Sequence, residues 1–123
     1  MPLQLKSLLI DEEKAIGGAW FNFELDARLK IARAGNTKWT EWLRKRAELG
    51  ESDDMTDDNW AELLAAAGLT DWENVELEEG KPFPPTYENR LYALKTFPDL
   101  YDFVFTRTHQ KRPFRIQARD EKN

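Results

Sequence analysis

The side chains able to do chemistry in this chain are few. Its 123 residues include one histidine, His109, and no cysteine. Nucleophile–base pairs and histidine-rich metal sites therefore lack their parts, and disulfides and thiolate sites are excluded. Carboxylates are plentiful, but nothing in the sequence holds two of them in the frame that a glycoside-cleaving pair requires. Asp53, Asp54, Asp57 and Asp58 invite a calcium reading. They lack the alternating spacing, turn glycine and terminal glutamate of an EF-hand loop, and helix capping accounts better for Asp57 and Asp58. His109 falls at the end of a predicted helix, where partial positive charge is favourable. No enzyme and no cofactor are expected.

The remaining chemistry is charge and apolar surface. Residues 1–50 carry nine basic and seven acidic side chains, residues 51–90 two and twelve, and residues 91–123 seven and four. Segment charges of +2, −10 and +3 give the net −5. Such blocks permit head-to-tail association between copies, the acidic middle of one against the basic end of another. Lys38, Arg44, Lys45 and Arg46, with Lys111, Arg112, Arg115 and Arg119, are the groups able to touch phosphate. The negative balance and the lack of any reading motif argue against nucleic acid. No run of about 18 apolar residues is present, so no membrane span is expected. The N-terminal stretch has a short apolar patch without the basic flank or cleavage site of a signal peptide.

The elements that must position these groups can be read from periodicity and breakers. The fold class expected is α+β, mainly α: an N-terminal β-hairpin, then about four short helices with a Pro-rich connector. A single domain is expected over residues 1–109, with a flexible basic tail at 110–123. The hairpin spans about 17–34. Leu29 and Ile31 alternate with Arg28 and Lys30 and should face the core. A lone hairpin is marginal in water, so it must pack on helices or pair with another chain through its exposed edge. Asn36 or Thr37 should cap a helix over 38–49, Thr56 a second, and Thr86 a third over 87–96. Phe97 and Pro98 interrupt, and a fourth helix should run over 99–108. Residues 69–75 read as a short helix or turn, because Trp72 and Val75 are three apart. Residues 76–85 read as loop, in which Pro82, Pro84 and Pro85 disfavour helix and ladder bonds.

Short motifs then occur in a telling order. Trp20 and Phe23 precede Arg28-Leu29-Lys30-Ile31-Ala32-Arg33, and Asn36 leads into Lys38-Trp39-Thr40. Asp71-Trp72-Glu73-Asn74-Val75, Gly80-Lys81-Pro82-Phe83-Pro84 and Tyr87-Glu88-Asn89 follow. Pro98-Asp99-Leu100-Tyr101-Asp102-Phe103-Val104 closes the set. Over about residues 17–108 the chain resembles the tail assembly chaperones of long-tailed bacteriophages and prophages. The resemblance implies a non-enzymatic factor that self-associates and coats the tape measure protein. It would keep that protein soluble before tail tube assembly, with the tail tube protein a further partner. It would act in the bacterial host cytoplasm and be absent from the mature virion.

A chaperone of that kind needs apolar surface rimmed by charge. Trp39, Trp42, Trp72, Val75, Phe83 and Tyr87 are the candidate partner-binding residues. A tryptophan on an amphipathic helix is more often core, which weighs on Trp39 and on Trp60. Trp72 and Phe83 sit in or beside a loop and are better placed for a partner. The alternative is an acidic DNA mimic or regulatory protein that binds a host nucleic-acid-binding protein through the −10 segment.

Overall fold

A computed structural model describes residues 1–120. A 3₁₀ turn at Leu5–Leu8 leads into α1 (Glu12–Gly17), then β1 (Ala19–Asn22) and β2 (Arg28–Ile31). Helices α2 (Thr37–Glu48) and α3 (Asp57–Ala67) follow, then β3 (Leu69–Glu73), β4 (Glu76–Glu78) and β5 (Lys81–Pro82). The chain continues through α4 (Tyr87–Thr96), α5 (Pro98–Thr108) and a 3₁₀ turn at Arg112–Phe114. The architecture is α+β and mainly α, with two small sheets.

Local chemistry starts the helices. Asn36 Oδ1 accepts from the Trp39 N–H at the head of α2. The Asn36 amide also donates to the Arg33 and Ala67 carbonyls, tying α2 to the end of α3. Thr56 and Asn59 form a reciprocal capping box on α3, and Thr86 accepts from the Asn89 N–H on α4. Pro98 opens α5, where its missing N–H costs nothing. The short α1 was not expected; Asp11 caps it by accepting from the Glu13 and Lys14 N–H groups.

The hairpin does not stand alone. Its register pairs Phe21 with Leu29 and Ala19 with Ile31, and these four side chains are buried as the alternation requires. β2 also pairs antiparallel with β3, so residues 69–73 are strand rather than helix or turn. Ile31 opposes Leu69 and Lys30 opposes Asp71, which leaves Thr70 as an extra residue in a bulge. Strict alternation would send Leu69 and Trp72 to opposite faces. The bulge lets both turn into the core, and it produces the spacing of three that imitates a helix. The outer edge of β1 is not open for strand pairing at Trp20, whose N–H donates to Asp120 Oδ1.

Residues 110–120 are not a free tail. Phe114 is fully buried and meets Phe21 edge-on at 6.3 Å. Its carbonyl accepts from the Asp11 N–H, Ile10 bridges Arg115, and Lys14 Nζ donates to the Ala118 carbonyl. One buried aromatic is enough to hold a polar segment against the sheet, because it brings apolar area that no neighbouring residue supplies. The tail expectation for 121–123 lies outside the described residues.

Replacing Phe114 with Ala should lower unfolding stability by about 3 kcal/mol, as a buried phenylalanine truncation does. Urea denaturation measures it; a loss under about 1 kcal/mol would mean that the segment contributes little to the fold.

Candidate functional site

The surface most unlike an ordinary solvated face is built around β4 and β5. After β3 the chain passes through Asn74 in left-handed backbone (φ 58°), a conformation that asparagine tolerates. The Asn74 amide donates to the Asp26 carbonyl, fixing the connector against the β1–β2 turn. Residues 76–82, expected as loop, form a two-stranded hairpin that turns at Gly80 (φ 78°), where a side chain would be strained. Pro82 is accommodated because it lies in an edge strand that needs no donor from it.

This hairpin is exposed along both strands, so it needs an anchor. Trp72 supplies one. Its indole N–H donates to the Phe83 carbonyl at 2.6 Å, and the two rings stack at 5.6 Å with 15° between their planes. The Phe83 N–H donates to the Val75 carbonyl. Phe83 then meets Tyr92 edge-on at 6.2 Å, and Tyr92 meets Phe97 at 6.1 Å. The series runs from buried Trp72 to Tyr92 and Phe97, which are 46% and 41% exposed.

Two hollows border the hairpin and share Val75, Glu76 and Phe83. The wide cleft holds about 1040 Å³ and is lined by Leu25, Trp72, Val75, Pro82, Phe83 and Pro84 among others. The narrower slot holds about 410 Å³, with Phe23, Val75, Leu77, Phe83, Phe97 and Leu100 giving it an apolar wall. Glu24, Glu76 and Asp99 also line the slot, and Glu78 and Glu79 line the adjoining hollow. Lys81 on the hairpin is engaged by Glu78 at 3.1 Å. Arg28, at the cleft, pairs with Glu73 and lies over Trp20 at 5.0 Å.

Arg90 braces this region from behind. Its guanidinium donates to the Ala65 carbonyl near the end of α3 and to the Pro85 carbonyl of the connector. Carbonyls of a last helical turn lack partners within the helix, so a cation is favoured there. Burial pulls the Arg90 pKa below its ordinary value, opposed by the nearby Asp71 and Tyr87.

The structure gathers only part of the expected set. Val75 and Phe83 line both hollows, with Trp72 beneath them. Trp72 is core rather than an exposed anchor, since β3 turns it inward against Leu29. Trp39 is also core, packed on Trp60 at 6.3 Å and edge-on to His109 at 5.8 Å. Trp42 is half-buried on α2 and Tyr87 exposed at the start of α4; neither is among the residues lining the two hollows. Phe23, Leu25, Leu77 and Phe97 were missed. Phe97 carried a signal, because a large apolar residue directly before the first proline of a helix has little local shelter.

Among the described residues, no group of three or more His, Asp or Glu side chains is arranged to hold a metal ion. No helix among them is long and apolar enough to cross a membrane. The family model described as YdaY prophage protein matches residues 27–123, and the chain belongs to that family of phage and prophage proteins. Nearly all of the residues lining both hollows lie within the match, Phe23, Glu24, Leu25 and Asp26 excepted. No curated protein and no solved structure matches the chain.

Replacing Trp72 with Phe keeps a ring over Phe83 but removes the indole donor. Stability should fall by about 1–2 kcal/mol, and the Phe83 amide should exchange faster while that of Leu29 stays protected. Unchanged exchange at Phe83 would show that the hairpin is held by other contacts.

Proposed function

We propose that this prophage-family protein is a non-enzymatic tail assembly chaperone. It self-associates and coats the tape measure protein, keeping that protein soluble before tail tube assembly. The observation that carries the reading is the aromatic series from Trp72 to Phe97, opening on apolar hollows with acidic walls. Apolar side chains of a helical client fit such a surface, and the charged rim keeps the unloaded protein in solution. The wide cleft, with Phe83, Val75, Pro82 and Leu25, is the client site in this reading. The protein works in the bacterial host cytoplasm, meets the tail tube protein as the coat is released, and is absent from the mature virion. A DNA mimic would present its acids as a regular ladder on a polar face, whereas here acids flank apolar walls.

Co-expression with the tape measure protein of the same prophage tests the proposal. The expected result is a soluble complex holding several copies per tape measure chain. Phe83→Asp, which keeps the Phe83 carbonyl but puts charge in the cleft, should cut the recovered complex about tenfold or more, as loss of an aromatic anchor does. A folded protein that leaves the tape measure insoluble overturns the reading.

A further inference from the structure

We infer that the slot beside Phe97 receives the leucine-rich segment, residues 3–9, of a second copy, so that copies join head to tail. This rests on the self-associating part of the reading above. The segment is unusually bare. Leu5 is 73% exposed and Leu9 52%, with Leu3 and Leu8 exposed beside them. Leu5, Leu8 and Leu9 stand at i, i+3 and i+4, the spacing with which a helical turn presents apolar anchors to a groove. Ile116 extends the patch, since its N–H donates to the Leu9 carbonyl and its side chain is exposed. The segments that carry the patch bear exposed cations, Lys6, Lys111, Arg112 and Arg119, beside the exposed Glu12 and Glu13, and among the described residues none of these cations forms an ion pair.

The slot is its complement, an apolar wall with Glu24, Glu76 and Asp99 along it. Among the described residues, none of the leucine segment is among those lining the slot. Pro98, at the start of α5, lines the slot, whereas Thr108 at the other end of that helix bonds the Ala32 carbonyl. The Arg33 N–H in turn donates to the Ala15 carbonyl of α1, the helix that follows the leucine segment. Pro98 and Thr108 thus mark the two ends of an 11-residue helix about 15 Å long, with α1 joined to the Thr108 end. A contact between two different surfaces is heterologous, and it propagates into a ring or an open array.

The test is light scattering of the full chain across concentration, at about 50 mM and about 500 mM salt, because screening acts on the charged rims. Wild type should exceed the monomer mass at low salt and dissociate as salt rises. The double variant Leu5→Glu/Leu9→Glu and the single variant Leu77→Glu change exposed side chains and should keep the wild-type thermal melt. Each should weaken self-association by about 30-fold or more, the scale of losing an anchor residue. The decisive sample is their mixture. One variant keeps its slot and the other keeps its segment, so the pair should form a 1:1 dimer that grows no further. A wild type that is monomeric throughout, variants that still associate, or a mixture that stays monomeric each overturns the inference. No client enters the experiment, so loss of tape measure binding and loss of self-association are read separately.

Discussion

The site depends on one side chain answering two demands. Trp72 must fill the core against Leu29, and it must also hold a hairpin that has no core of its own. The Thr70 bulge makes both possible by returning Trp72 to the inner face, with its indole N–H still able to reach the Phe83 carbonyl. A hydrogen bond contributes about 1 kcal/mol and an aromatic stack about 0.5–1.5 kcal/mol. Those are modest sums for a domain. They are decisive for β4 and β5, which by themselves are an exposed two-stranded ladder with little reason to persist.

What could be read in the sequence was what local physics dictates. Alternation placed Leu29 and Ile31, while Asn36, Thr56 and Thr86 announced three helix starts through side chains that bond within three residues. What could not be read was nonlocal. The bulge at Thr70 disguised β3, and Pro82 disguised β5 because an edge strand forgives a missing donor. Phe114 is a single aromatic in a basic stretch, and no periodicity reveals that Phe21 and Asp11 await it.

The same division holds for the site. Phe83 was legible as an apolar residue in a proline-rich loop, and Val75 as an apolar residue just before it. Trp72 was not separable from them, since it was read in or beside a loop, whereas the amphipathic face of its helix already weighed Trp39 toward the core. Arg90 was invisible as a brace, because its acceptors are main-chain oxygens on two distant segments. The segregation of charge was plain in the sequence. The fold adds place to it, gathering Glu24, Glu76 and Asp99 along the slot at the start of α5.

Helix α2 carries a different consequence. Of its 12 residues only Trp39 is buried and Trp42 is half-buried, while Leu43, Ala47 and the following Leu49 face solvent. Held by Trp39, the half-buried Trp42 and a cap, and packed on α3, the helix has few buried apolar contacts and belongs to the part of the fold that opens at lower free energy. Its opening would uncover Trp39 and the face of Trp60 that Trp39 covers, aromatic area comparable to what the hairpin displays permanently. Opening of α2 would thus expose a second apolar surface, its population set by the burial of Trp39 together with Trp42.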